Sequence, residues 1–192
     1  YFFFLTLPLL SVYGQDSRSF YKKLSDAAIE LTRDKVTYDP RYFSIPYPNG
    51  DVPSDKGVCT DVIIRAYRKL GIDLQKKIHE DMRANFNLYP KKWGLKKTDR
   101  NIDHRRVPNQ AMFFSRFGTI KKITTKGEDY LPGDIVTWDL GNGITHIGIV
   151  TDRMSRDKKR PLIVHNIGRG QVLEDCLFSF KITGHYCYDN SK

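Results

Sequence analysis

One cysteine and two histidines stand out as residues that can carry covalent chemistry. Cys59 falls at the beginning of a predicted helix, and His146 and His165 fall in consecutive predicted strands. A helix N-terminus favours the thiolate, the nucleophilic form of cysteine. A nucleophile, a base and a group that orients the base are the minimum set for covalent acyl transfer. The alternative for Cys59 is a small buried hydrophobic residue on a helix face.

Helices dominate the first two thirds of the chain. Residues 59–70 are predicted to be helical because apolar side chains recur every three or four positions, and Gly71 then ends the helix. Cys59 is the first residue of that helix. Similar spacing predicts helices over residues 17–34, 74–88 and 108–117.

After Pro132 the apolar period changes to two. Strands are predicted over residues 134–139, 145–151, 161–167 and 181–188, and Gly141-Asn142-Gly143 is a hairpin turn between the first two. Helices followed by an antiparallel meander predict an α+β fold in a single domain.

Strand alternation restricts which polar residue meets His146. Gly148 lies two residues further on and on the same strand face, which leaves space beside the imidazole. His165 and Asn166 are neighbours in the next strand, so only one of them faces His146. We favour His165 as the orienting residue, and Asn166 is the rival, otherwise expected to contact substrate.

The N-terminal residues 1–14 have no charged side chain and include the apolar run Phe2–Leu10. That run is shorter than the roughly 20 residues needed to span a bilayer. It is typical of an export signal cut near Gly14, which leaves residues 15–192 as the mature domain, without membrane insertion. The alternative is a buried N-terminal strand or helix. Export predicts a periplasmic or secreted bacterial protein.

The 192-residue chain has a formal net charge of +10 and 40% hydrophobic residues, so it can bury a core and is drawn to acidic partners. In an exported protein this charge favours an anionic wall polymer over nucleic acid. Three cysteines give one possible pair, Cys176 with Cys187, and leave Cys59 as a free thiol. Whether that pair forms stays open.

Four motifs in order resemble the NlpC-type branch of papain-like cysteine peptidases. They begin with Gly57-Val58-Cys59-Thr60-Asp61 and continue with Leu131-Pro132-Gly133-Asp134-Ile135, His146-Ile147-Gly148-Ile149-Val150 and Ile163-Val164-His165-Asn166. The resemblance covers roughly residues 47–167. More narrowly, the whole mature chain looks like an uncharacterised bacterial branch of that superfamily.

The resemblance implies a papain-like fold and a monomeric cell-wall peptide hydrolase. It implies Cys59 as nucleophile, His146 as general base, His165 as the third catalytic residue and Tyr47 as a residue that lines the substrate site. The chain departs from the family pattern, which has Asp before the nucleophile and Ser-Gly after it. Here Val58 precedes Cys59 and Thr60-Asp61 follows it, so the substrate subsites differ.

Two further clusters are candidates for substrate contacts. Arg105 and Arg106 can clamp a carboxylate of an acidic peptide, although surface salt bridges are the alternative. The segment Tyr89-Pro90-Lys91-Lys92-Trp93 can stack on a sugar or cover the core.

No cofactor and no metal are expected, since the sequence has no nucleotide-binding loop and no paired metal-ligand spacing. A zinc site made by Cys59, His146 and His165 is the alternative.

The expected function is hydrolysis of peptide or amide bonds in peptidoglycan stem peptides through a Cys59 thioester. Two alternatives stay open. One is a catalytically silent wall-binding module with the same basic surface. The other is amide or acyl transfer at the same site, in which an amine replaces water.

Overall fold

The structure, a computed structural model, describes the backbone of residues 11–191 and the side chains of residues 19–191. Most of the predicted export signal, positions 1–10, therefore lies outside the described residues. Positions 11–14 are the first residues of a helix. None of the helices in the described part of the chain is long and apolar enough to cross a bilayer.

Four α-helices occupy the places that the apolar spacing predicts. Their bounds are α1 Ser11–Leu31, α2 Cys59–Lys69, α3 Leu74–Ala84 and α4 Val107–Phe117. The prediction for α3 was too long by one turn, because the Asn85 side chain donates to the Asp81 carbonyl at 3.2 Å and ends the helix. Residues Phe86–Leu88 continue as a 3-10 helix.

Two short strands, β1 Thr37–Tyr38 and β2 Lys56–Gly57, pair in parallel just before α2. The main sheet has six antiparallel strands in the order β3-β8-β4-β5-β6-β7. Its strands are β3 Thr119–Ile120, β4 Ile135–Asp139, β5 Thr145–Met154, β6 Pro161–His165, β7 Val172–Glu174 and β8 Lys181–Cys187. The α+β class is thus confirmed. The sequence prediction missed the short strands β1, β2, β3 and β7.

Each face of the sheet has its own apolar core. Alternation along β5 directs Ile147 and Ile149 to the helices, where they join the larger core with Val62 and Ile63 of α2. The other face buries a smaller cluster that includes Trp138 and Val150. Trp138 is paired with His146 across β4 and β5, so His146 also faces this second side. Because His146 is the second residue of β5, it lies at the end of the strand.

Candidate active site

The beginning of α2, where Cys59 lies, is held by a buried ion pair. The Asp61 carboxylate accepts the Val58 backbone N–H at 2.7 Å, which satisfies one of the free donors of the helix start. Arg105 binds the same carboxylate with two nitrogens, at 2.8 and 2.9 Å, and both side chains are only 2% exposed. Asp61 and Arg105 therefore fix the start of α2, where Cys59 lies.

The Cys59 thiol is 7% exposed and lies against β5. Burial raises the pKa of the Cys59 thiol to about 12. The backbone amides of Ile147, Thr60 and Cys59 itself act in the opposite direction, since an N–H group that donates to sulfur stabilises the thiolate. In the resting site burial dominates, so the thiol is neutral at pH 7.

His146 is the neighbour of Ile147, whose amide contacts the thiol, and Thr145 lines the same cleft as Cys59. The His146 ring is 4% exposed. Burial, together with the adjacent His165, lowers the pKa of His146 to about 3. The imidazole is therefore a neutral base at pH 7, beside the strand position that touches the thiol.

A series of hydrogen bonds leads from His146 to the surface. His146 Nε2 lies 2.8 Å from His165 Nδ1, and His165 Nε2 lies 3.0 Å from Glu174 Oε2. Arg169 pairs with the other oxygen of Glu174. Burial lowers the pKa of His165, and the Glu174 carboxylate opposes that shift.

The carboxylate determines the tautomers along this series. Glu174 can only accept, so the His165 proton is on Nε2 and its Nδ1 accepts the Nε2 proton of His146. The lone pair of His146 is then on Nδ1, which has no hydrogen-bond partner among residues 19–191. Within residues 19–191 no hydrogen bond joins His146 to the Cys59 thiol, and alternation along β5 directs the imidazole to the sheet face opposite the core that contains Cys59. Nδ1 is the ring nitrogen of His146 with a free lone pair.

Gly148 allows β5 and β6 to come close enough for this contact. A Cβ at Gly148 would lie 2.6 Å from Ile163 Cγ2 and 3.2 Å from His165 Cβ. The space that the sequence pattern assigned to the His146 imidazole is occupied by side chains of β6.

His165 and Asn166 take different sides of their strand. Asn166 is fully buried, and its Nδ2 donates to the Gly57 carbonyl at 3.1 Å, next to the start of α2. Its Oδ1 accepts the Gly168 backbone N–H at 3.1 Å. The structure therefore brings His165 to His146, and Asn166 ties the end of β6 to the segment that precedes Cys59. Asn166 does not line the Cys59 cleft.

A cleft of 190 Å³ opens at Cys59. Its lining includes two exposed aromatic side chains, Tyr38 and Trp93, and the side chain of Arg106. Tyr47, the tyrosine suggested by the resemblance, lies elsewhere. Its ring packs edge-on against His79 of α3 at 5.4 Å. In the described structure Tyr38, at the end of β1, is the tyrosine beside Cys59, since β1 pairs with the strand that precedes it.

The two arginines predicted as a carboxylate clamp have different surroundings. Both guanidinium nitrogens that Arg105 would offer to a ligand are bound to Asp61, and a third donates to the Arg41 carbonyl at 3.2 Å. Both arginines line the cleft. The Arg105 guanidinium is engaged by Asp61 and by the backbone, so a structural role accounts for its contacts, and its predicted role in substrate binding stays a prediction.

All three cysteines are free thiols, so Cys176 and Cys187 do not form the pair that the cysteine count allows. Cys176 Sγ lies 3.5 Å from His165 Nε2, on the side of the sheet where a second cleft, of 430 Å³, opens beside His165 and Glu174. Burial raises the pKa of Cys176 to about 12. A neutral thiol therefore covers the outer side of His165.

Residues 19–191 contain no group of three or more His, Cys, Asp or Glu side chains that could bind a metal ion. Cys59, His146 and His165, the zinc ligands of the alternative reading, do not form such a group.

Glu174 and Tyr38 were not assigned to the site from the sequence. Glu174 is in a three-residue strand whose partner is β6, and a strand so short has no usable alternation. Tyr38 precedes Cys59 by 21 positions in a segment rich in proline, and only the pairing of β1 with β2 brings it near the thiol.

Comparison with known proteins gives one family and one curated relative. A family model described as "Domain of unknown function (DUF1287)" matches residues 25–188. A protein named "Uncharacterized protein YijF", from Escherichia coli (strain K12), is 50% identical over 165 residues, which are 86% of this chain and 80% of that protein. No solved structure matches the chain.

Proposed function

The chain belongs to the DUF1287 family, and we propose that it is an exported cysteine hydrolase that cleaves peptide or amide bonds of peptidoglycan stem peptides. The observation that carries the proposal is the hydrogen-bonded series His146–His165–Glu174. It ends at the strand position beside the Cys59 thiol and leaves His146 Nδ1 as a base.

Cleavage begins with a neutral thiol and a neutral imidazole. As the Cys59 sulfur attacks the scissile carbonyl carbon, the thiol proton passes to His146 Nδ1, and the imidazolium that forms is stabilised through His165 and the Glu174 carboxylate. The backbone N–H groups of Cys59 and Thr60, which point to the sulfur at the start of α2, are the donors for the oxyanion once the sulfur has bonded to the substrate carbon.

His146 then gives its proton to the leaving amine as the carbon–nitrogen bond breaks, which leaves an acyl thioester on Cys59. A water molecule next loses a proton to His146 and attacks the thioester carbon. The thiolate leaves and regains the proton, and the acid product is released. Amide transfer follows the same route with an amine in place of water.

The arrangement supports a papain-like, NlpC-type fold. A helix that begins with the nucleophile packs on an antiparallel sheet, and two consecutive strands of that sheet carry the paired histidines. The departures from the family pattern also have a physical explanation. Asp61, which follows the nucleophile, forms an ion pair with Arg105, and this pair holds the start of α2.

The proposed location and substrate rest on the N-terminal apolar run and on the charge. A formal net charge of +10 concentrates a periplasmic or secreted protein at an anionic polymer such as the bacterial wall. Peptidoglycan peptides supply both the amide bonds and the acidic groups that this surface favours.

A digest of purified muropeptides tests the proposal. The mature protein, residues 15–192, should release peptide fragments that mass spectrometry identifies, and Cys59→Ala should release none. Cys187→Ala is the matched control, because it removes a free thiol from β8, away from the Cys59 cleft. Equal product patterns for the mature protein and Cys59→Ala would overturn the cysteine mechanism.

One observation favours the silent wall-binding alternative, namely the raised pKa of the buried Cys59 thiol. A module of that kind binds insoluble peptidoglycan, and its binding is unaffected by Cys59→Ala. A sedimentation assay alongside the digest separates the two functions: retained binding without any released fragment supports the module, and Cys59-dependent fragments support the hydrolase.

A further inference from the structure

Arg106 is the one arginine lining the Cys59 cleft whose guanidinium has no hydrogen-bond partner among residues 19–191. Its Nη1 is buried and unpaired. The neighbouring Arg105, in contrast, binds Asp61 with two nitrogens. A buried charged donor without a partner is costly, and such groups are retained where a ligand supplies the missing acceptor.

Trp93 holds the Arg106 guanidinium in place. The guanidinium carbon lies 4.5 Å from the centre of the Trp93 ring, a cation–π contact. Trp93 is 60% exposed, and its backbone has φ 63°, a conformation that is strained for a bulky side chain. Strain of this kind concentrates at ligand-binding positions, and the exposed ring has no role in the core.

The cleft offers no anion of its own to Arg106. No Asp or Glu is among the residues that line it. The acidic residues that act on Arg106 from outside the cleft are Asp103 and Asp99. Asp103 Oδ2 binds His79 and the Asp99 backbone N–H, and Asp103 Oδ1 is buried without a partner. Asp99 accepts from Tyr42, and within residues 19–191 neither carboxylate is hydrogen-bonded to Arg106. Burial without a partner lowers the pKa of Arg106.

We propose that Arg106, supported by Trp93, is an anion subsite that binds a free carboxylate next to the scissile bond of the substrate. The substrate class is then a peptide with an unblocked acidic group beside the amide that is cleaved, and a peptide amidated at that group is a poor substrate. This inference rests on the proposed function, since it gives the Cys59 site its specificity.

A pair of thiol reagents tests the subsite without knowledge of the natural substrate. Iodoacetate and iodoacetamide alkylate sulfur by the same displacement of iodide. Iodoacetate carries a carboxylate, and iodoacetamide carries a neutral amide in its place. The rate constant of each reagent at Cys59 is measured at pH 7.5 by mass spectrometry of the peptide that contains Cys59, because Cys176 and Cys187 are also free. The ratio of the two rate constants reports the preference for the carboxylate.

Arg106→Gln should lower the iodoacetate-to-iodoacetamide ratio by about tenfold, the equivalent of one charge-assisted hydrogen bond. Arg106→Lys should retain part of the preference, because lysine keeps the positive charge but cannot bind a carboxylate with two nitrogens as a guanidinium does. Arg156→Gln is the matched control. Arg156 is exposed and follows the far end of β5, so the same change in net charge there should leave the ratio unchanged.

An equal ratio in the wild-type protein and Arg106→Gln overturns the subsite, and so does an equal drop in Arg156→Gln. Failure of the proposed function gives a different result: the iodoacetamide rate at Cys59 is then the same with and without His146→Asn. A subsite without catalysis still shows the Arg106-dependent ratio, so the two failures are distinguishable. Arg106→Lys keeps the test valid if Arg106→Gln does not fold.

Discussion

Two histidine–carboxylate pairs lie in the same sheet, and they have different roles. On β6, His165 Nε2 meets Glu174 at 3.0 Å, and its other nitrogen meets His146. On β8, His185 Nε2 meets Asp134 at 2.7 Å, and its other nitrogen meets the Lys122 carbonyl at 3.1 Å. In the first pair, the second nitrogen of His165 forms a hydrogen bond with the imidazole of His146 and orients it. In the second pair, the second nitrogen of His185 forms a hydrogen bond with a backbone carbonyl.

The carboxylates differ in the same way. Asp134 also accepts from Lys121 at 2.6 Å and from the Leu131 backbone N–H at 2.8 Å, so it joins three segments of the fold. Glu174 has Arg169 as its second partner, and its side chain is 27% exposed. Of these two histidines, only His165 directs its second ring nitrogen at another titratable side chain. Under the proposed function the His165 pair orients a base, whereas the His185 pair stabilises the fold.

The largest expected effect is the loss of the base. His146→Asn should lower the rate of muropeptide cleavage by on the order of 1000-fold, since a positioned general base contributes factors of this size. His185→Asn, measured below its melting temperature, should retain most of the activity. A loss of similar size in His185→Asn would remove the distinction between the two pairs.

The second effect is on stability. Asp134→Asn should lower the free energy of unfolding by about 3 kcal/mol, because the partly buried Lys121 ammonium is then left without its counter-ion. Urea unfolding measures the change. Glu174→Gln is the control from the other pair and should cost less than about 1 kcal/mol, since its ion pairs are partly exposed.

The third effect is a pH dependence of the free energy of unfolding that arises from His146, the partner of His165. Burial lowers the pKa of His146 to about 3, whereas an unfolded histidine titrates near 6.5. As the pH falls below about 6.5, this histidine becomes protonated in the unfolded chain but stays neutral in the native chain. The free energy of unfolding therefore decreases.

One such histidine contributes about 1.4 kcal/mol per pH unit. The unfolding free energy of His146→Asn should therefore fall less steeply between pH 6 and pH 4 than that of the wild-type protein, and the difference in slope should be close to this value. Parallel curves for the two proteins would show that the ring is not held neutral.

The smallest effect distinguishes orientation from binding. Glu174→Gln keeps an acceptor for His165 but removes the charge, and should lower kcat by about tenfold, as for other outer partners that orient a site histidine. KM should change little, because Glu174 does not line the Cys59 cleft. Glu174→Asp should recover part of kcat. A change confined to KM would instead place Glu174 in substrate binding.

Local patterns in the sequence predicted the elements that carry the main residues. The start of α2 followed from apolar residues at helical spacing and from Gly71, and the strands of His146 and His165 followed from alternation. Alternation allowed only one of His165 and Asn166 to face His146, and the tertiary structure brings His165 there. The helix start and the strands depend on contacts between residues that are close in the chain, so a single sequence contains them.

Other features depend on pairs that are distant in the chain. Arg105 and Asp61 are 44 positions apart, and only their contact shows that the Arg105 guanidinium is engaged and the Arg106 guanidinium free. Tyr38, and not the expected Tyr47, lies beside Cys59 because β1 pairs with β2. The cysteine count allowed a disulfide, but the fold places Cys176 against His165 and leaves Cys187 on β8 as a free thiol.

The sequence by itself determined the α+β class, the helix start at Cys59 and the strands that present the two histidines, because periodicity and turn residues act locally. The tertiary structure alone decided which nitrogen of His146 is free, which of the two cleft arginines is without a hydrogen-bond partner and which carboxylate completes the series. Hydrogen-bond direction and burial arise only when distant segments pack together, and they set the tautomers and the pKa values on which the proposed chemistry depends.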